Sequence, residues 1–196
     1  MRSAALFLIC FLALLPRASG QQIPRLDGHW WQTLYENEKV EFVAGYIDCY
    51  ANDLGDKNNT FPESWDTYAP RITNYYGDHP EAANRLVTKV LFDVRSKRPP
   101  KPQEGGETWT EKHWFFDGEY WGQMGKGERD AFIQGYLACY KEHLASRQQK
   151  FSLAANRYAQ EVSAWFDANP KRYRTAIADV LYKFADGSPA RVAKPR

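Results

Sequence analysis

The hexapeptide Gly45-Tyr46-Ile47-Asp48-Cys49-Tyr50 returns 90 residues later as Gly135-Tyr136-Leu137-Ala138-Cys139-Tyr140. The same offset holds without a gap on both sides. Asp27-Gly28 matches Asp117-Gly118, Trp31 matches Trp121, Glu38 matches Glu128 and Phe42 matches Phe132. Downstream, Leu54, Phe61, Tyr68-Ala69, Pro80 and Val90-Leu91 match Leu144, Phe151, Tyr158-Ala159, Pro170 and Val180-Leu181. Across 28–94 and 118–184 there are 15 identities in 67 positions, and most differences at apolar positions are conservative. Self-similarity at a fixed period marks a supersecondary unit used twice. Any fold for this chain must therefore satisfy one pattern in two places.

The pattern is helical. In the first copy, Phe42, Val43, Tyr46, Ile47, Tyr50 and Leu54 fall on one face of a helix predicted from about Asn37 to Leu54. A shorter segment before it carries Trp30, Trp31 and Leu34, with Asp27 as its N-cap. Pro62 suits the first turn of a third helix bearing Trp65, Tyr68, Ile72, Tyr75 and Tyr76, and Pro70 inside it predicts a kink. Pro80 suits the start of a fourth, with Val87, Val90, Leu91 and Val94 on its inner face. The second copy predicts helices at about 118–125, 127–145, 152–168 and 170–185. Gly45 and Gly135 sit inside long helices, where glycine costs about 1 kcal/mol relative to alanine. A cost incurred twice points to the close approach of another helix at a Gly-x-x-x-Cys notch. The expected fold is all-α: two tandem homologous units of about four helices each, related by a pseudo-two-fold axis.

Residues 1–20 read as a secretory signal peptide: Arg2, an apolar run from Ala4 to Leu15, then Ala18-Ser19-Gly20 as a cleavage site. Residues 21–95 form the first unit and 118–187 the second. Between them, 96–117 is a Pro- and Gly-rich linker ending in the aromatic segment Trp109 to Phe116, expected to lie across an apolar surface. Residues 188–196 are a basic, Pro-containing tail, expected to be disordered. The predicted location is periplasmic or secreted. The whole chain has 26 basic and 24 acidic residues; without Arg2 and Arg17 the two signs balance, which gives no electrostatic reason to expect a nucleic acid partner. No segment after the signal is long and apolar enough to cross a membrane. Asn58-Asn59-Thr60 is formally a glycosylation sequon.

The chemistry-bearing residues are few. Cys49 and Cys139 occupy equivalent positions and are the only cysteines left after processing. If the copies pack through the Gly-Tyr-x-x-Cys face, the two can form a disulfide, provided their Cα atoms come within about 7 Å. The alternative is two buried free thiols acting as small hydrophobes. The histidines His29, His79, His113 and His143 show no metal-ligand spacing, and no cofactor motif is present. Asp27, Asp117, Glu38 and Glu128 sit at helix starts, where carboxylates cap and meet the helix dipole. Aromatic content is high at 15%, with seven tryptophans. Trp31 and Trp121 recur and belong to the core. Trp30, Trp65, Trp109 and Trp114 lack a tryptophan at the equivalent position. Together with His113 they are the candidate partner-binding residues, expected on an exposed patch that fits a protein or a glycan.

The series Gly45-Tyr46-Ile47, Phe61-Pro62-Glu63, Tyr75-Tyr76-Gly77-Asp78-His79-Pro80-Glu81, Leu86-Val87 and Val90-Leu91 resembles the Rap/Tai-type immunity proteins of type VI secretion systems. The resemblance covers 28–94 and, more weakly, 118–184, where His79-Pro80-Glu81 becomes Asn169-Pro170-Lys171. It implies a periplasmic, all-helical, non-catalytic protein that binds a secreted peptidoglycan amidase toxin and blocks its active site. This chain would be two such units fused. No binding residue is carried over from the family. Two other classes stand beside it: a cell-envelope module binding peptidoglycan through exposed tryptophans, and an enzyme using carboxylates near Trp30 or Trp114 on an envelope polymer. The disulfide reading is checked by alkylating the non-reduced mature chain and weighing it. No alkylated cysteine is expected; two would leave the free-thiol reading.

Overall fold

The computed structural model describes residues 24–56, 60–95, 116–146 and 150–186. These are mostly helical, with no strand among them and only isolated bridges between extended residues. In chain order the helices are α1 (Gly28–Trp31), α2 (Glu36–Asp48), α3 (Trp65–Asp78), α4 (Val87–Val94), α5 (Gly118–Gln123), α6 (Lys126–His143), α7 (Ala155–Ala168) and α8 (Ile177–Tyr182). Among the described residues no helix is long and apolar enough to cross a membrane.

The largest interface joins α2 to α6; α3 lies on α2, α7 on α6, α4 on α3 and α8 on α7. The two long helices run side by side in the same direction. Near their starts the Asn37 amide donates to Glu128 (2.7 Å), midway Gly45 faces Phe132, and further on Cys49 meets Cys139. The midpoint is the tightest place. A Cβ on Gly45 would lie 2.0 Å from the Phe132 carbonyl oxygen, and one on Gly135 would lie 1.9 Å from that of Phe42. Both obstacles are helix backbone, which cannot rotate away as a side chain can. One turn on, the Cys49 and Cys139 sulfurs stand at disulfide distance, 2.16 Å, with Cα atoms 6.1 Å apart and no solvent exposure.

Around this seam the same contacts occur at the 90-residue offset. Asp27 accepts from the backbone of His29 and Trp30 (3.1 and 3.3 Å); Asp117 accepts from Glu119 and Tyr120 (3.0 and 3.1 Å). The buried indole of Trp31 donates to Thr73 (3.0 Å), and that of Trp121 to Ser163 (3.1 Å). The Tyr68 hydroxyl accepts from the Glu63 amide, and that of Tyr158 from the Leu153 amide. Each pairing satisfies a buried polar group that would otherwise cost about 1–3 kcal/mol.

Several helix limits differ from the sequence expectation, for identifiable reasons. The second helix ends as α-helix at Asp48 and continues as one π-helical turn, Cys49–Asp53, with the Asn52 amide bonded to Asp48 (2.6 Å). Pro62 is not in the first turn of α3. Residues 61–64 are irregular, with Phe61 turned into the core, and the helix begins at Trp65. α3 then runs unbroken to Asp78 with Pro70 on its exposed side. Pro80 opens only a 3-10 turn, Pro80–Ala82. The next residues are held by α1: Gly28 donates to Ala83 (2.8 Å) and Val87 to Leu26 (2.9 Å), so α4 starts at Val87. Pro170 and Ile177 repeat this, with Gly118 donating to Tyr173 (2.7 Å) and Ile177 to Phe116 (2.8 Å). The predicted signal peptide, most of the linker, the sequon asparagine and the predicted tail beyond Asp186 lie outside the described residues.

Gly45→Ala and Gly135→Ala are each expected to destabilise the chain by roughly 3 kcal/mol, the upper range for overpacking, because backbone must move. Urea unfolding of each variant checks this; a loss under 1 kcal/mol would mean that the α2–α6 approach is looser than described.

Candidate functional site

Two groups of polar side chains lie around the central helices, one at the far end of the α2–α6 seam and one on α2, and both depart from the repeat. The first is at the far end of the seam. The π-helical turn ends at Asp53, which accepts hydrogen bonds from the hydroxyls of Tyr136 and Tyr182, the latter at 2.7 Å. At the equivalent place on the other side, the Tyr46 hydroxyl meets His143 Nε2 (3.0 Å) and donates to Glu142 (3.2 Å), which pairs with Lys89. Each helix end thus reaches across to the tyrosine of the other Gly-Tyr motif. One side uses a carboxylate alone, the other an imidazole beside a carboxylate. Burial raises the pKa of both motif tyrosines above the ordinary phenol value, so they act as neutral hydroxyl groups.

Asp48 lies just before the seam cysteine and is wholly buried. Its Oδ1 accepts from Asn52, while its Oδ2 has no hydrogen-bond partner among the described residues. Burial pushes its carboxyl up to about 8, against the Asn52 bond, with the Asp53 and Asp179 charges adding. Its counterpart is Ala138.

The second group gathers around Glu41 on α2. The Tyr120 hydroxyl donates to both of its carboxylate oxygens (2.9 and 2.8 Å). Burial pushes Glu41 up to about 7, with the Glu128 charge adding to it. Trp65 and Phe116 complete the cluster. The Phe116 ring lies 4.9 Å from both Trp65 and Tyr120, and Trp65 stands edge-on to Tyr120 at 6.2 Å. The residues 90 positions away from Glu41, Trp65, Phe116 and Tyr120 are Ala131, Ala155, Leu26 and Trp30. None of these rebuilds the acid–aromatic contact.

The candidate tryptophans are therefore placed as follows. Trp65 is in this cluster. Trp30 stacks edge-on against Phe42 at 5.0 Å. Both are half-buried rather than exposed, because aromatic neighbours cover them. Trp109, His113 and Trp114 lie outside the described residues. The structure adds Glu41 and Tyr120, which sequence reading missed. Their signal was available: an acid and a tyrosine where the other copy has alanine and tryptophan. The large apolar side chain with the greatest exposure among the described residues is Tyr35, at 76%. Glu38 and Glu128 reach back to the amides of Tyr35 and Gly125, as capping predicts. Among the described residues no group of three or more His, Cys, Asp or Glu side chains is arranged to hold a metal ion.

No protein-family model matches the chain, and no curated protein or solved structure resembles it at a significant level.

Asp48 predicts a pH dependence of stability. Burial raises its folded-state pKa from the usual 3.8 to about 8. The folded chain holds a proton that the unfolded chain releases, so this contribution is complete at low pH. It is lost as pH rises from about 4 to about 8, with a slope approaching 1.4 kcal/mol per pH unit. Asp48→Asn should flatten that slope and gain stability over the parent as pH rises. Urea midpoints at pH 5 and pH 8 test it; an unchanged slope would exclude Asp48 as its source.

Proposed function

We propose that this chain is an exported, non-catalytic binding protein made of two duplicated helical units, a single-chain pseudo-dimer that binds another protein. The recurrence of caps, indole bonds and glycine contacts at the 90-residue offset supports the duplication. The observation that carries the binding reading is the Glu41–Tyr120–Trp65–Phe116 cluster. The other copy folds without a counterpart to it, so the fold does not require it. A partly desolvated acid among large aromatic rings, with the acid on α2 and the rings on α3, on α5 and just before it, has the composition of an interface anchor. Rigid presentation also reduces the ordering cost of association.

The resemblance of the Gly45-Tyr46-Ile47 and His79-Pro80-Glu81 segments supplies the class of partner: a secreted peptidoglycan amidase, held inactive in the periplasm. Binding is tested by passing periplasmic and secreted proteins over the mature, non-reduced chain. The expected result is one stoichiometric hydrolase whose activity falls on binding. Trp65→Ala should weaken that complex about tenfold or more, as for an anchor residue, with helical content unchanged. Retention on isolated peptidoglycan without a protein partner would replace this reading with the glycan-binding one.

A further inference from the structure

The second unit carries a concavity that breaks the repeat in a chemically directed way. It has a volume of about 280 Å³ and lies between the start of α6 and the middle of α7, lined by Lys126, Arg129, Asp130, Gln160, Ser163 and Asp167 among others. Arg129 forms its inner wall. The guanidinium stacks on the buried ring of Trp121, 5.5 Å from its centre, donates through Nε to the Trp121 carbonyl (3.0 Å), and reaches Ser163 through Nη1 (3.4 Å). Ring, carbonyl and hydroxyl hold it in one orientation. The remaining Nη donors are left for another acceptor.

The equivalent residue of the first unit is Lys39, also placed over a buried tryptophan, Trp31, at 5.9 Å. Lys39 has its own carboxylate: Glu36, three residues earlier, at 2.6 Å. The residue three before Arg129 is Lys126. The internal acid has become a second base, and among the described residues Arg129 has no ion pair. A half-buried guanidinium favours a carboxylate partner strongly, because a planar fork meets two oxygens at once.

We propose that this concavity is a carboxylate-binding site, in which Arg129 takes the ligand's carboxylate through its two Nη groups and Lys126 supplies a second positive charge. Asp130 and Asp167 on the rim repel the same group. Asp130 lies within reach of the Lys126 charge, so the site tolerates a single carboxylate on Arg129 and disfavours polyanions such as phosphate esters. The size suits one side-chain-sized acid, either a glutamate or aspartate of a bound polypeptide or a free small dicarboxylate.

The test uses the mature chain, isotope-labelled, titrated with N-acetylglutamate N-methylamide, its glutamine analogue, and glutarate. The signals read are the Arg129 Nε–H and the Trp121 indole N–H. Saturable shifts with the glutamate probe but not the glutamine one are expected. Arg129→Gln should weaken them about tenfold or more, the usual range for a charged hydrogen-bonded pair. Lys126→Glu is the decisive second variant, because it restores the acid found at position 36 at an exposed site. It should abolish the shifts while leaving the fold intact. Shifts with both glutamate probe and glutarate assign the site to carboxylates generally, and glutarate alone to free small acids. No saturable shift, equal shifts with the glutamine analogue, or shifts that survive Lys126→Glu would overturn the proposal.

Discussion

Everything in this structure is arranged around the contact of two helix backbones. At Gly45 and Gly135 the missing side chains let α2 and α6 approach until a single added carbon would meet a carbonyl oxygen. Association of two helices is usually set by interlocking side chains, with the axes about 8–10 Å apart. Here the side chains are displaced outward, and the Tyr, Phe and Trp rings form a collar around the seam. Trp31 and Trp121 lie fully or nearly fully buried on opposite sides of it, each with its indole bonded to a hydroxyl on the next helix. The cysteines sit one turn beyond the glycines, where the separation suits a disulfide. The cost of two glycines inside helices is offset by a contact that only glycine permits.

Several differences between the two halves change the charge at a structurally placed position. Ala138 stands opposite Asp48, Ala131 opposite Glu41, His143 opposite Asp53, and Lys126 opposite Glu36. The shared apolar positions keep the core; the exchanged polar ones change what each flank can bind or titrate. In a dimer of identical chains, each of these residues would appear twice, and both sides would carry the same charge. A single chain removes that constraint. An acid can then be buried on one side, as at Asp48, where the residue 90 positions on is Ala138.

Much of the architecture was legible in the sequence because the repeat reads the same pattern twice. Helix type, the Asp27 and Asp117 caps, and the cysteine pairing partner all follow from residues that recur. Helix limits were less legible where proline was the guide. Pro62 and Pro80 are compatible with a helix start, but the chain around them is held out of the helix by long-range contacts: Phe61 packs into the core, Gly28 donates to Ala83, and Val87 donates to Leu26. The π-helical turn at Cys49–Asp53 carries no sequence signature; the equivalent segment of α6 is an ordinary helix with the same Cys-Tyr start. The site was half legible. Trp65 was found as a tryptophan without a counterpart, whereas Glu41 and Tyr120 become a pair only when α2 and α5 are set beside each other.

The crossed bonds at the helix ends bear on how the molecule comes apart. Asp53 belongs to the first half by sequence but is bonded to Tyr136 and Tyr182 of the second; His143 belongs to the second but meets Tyr46 of the first. Neither half can loosen its last helical turn without stripping a partner from the other. Opening free energies in proteins usually range from near zero at frayed ends to the global value in the core. In this chain the ends of the two central helices are tied into the opposite core, so local fraying there becomes a shared event. The two halves are joined into one cooperative unit, and the outer helices are drawn into it as well, α4 through Lys89 to Glu142 and α8 through Tyr182 to Asp53.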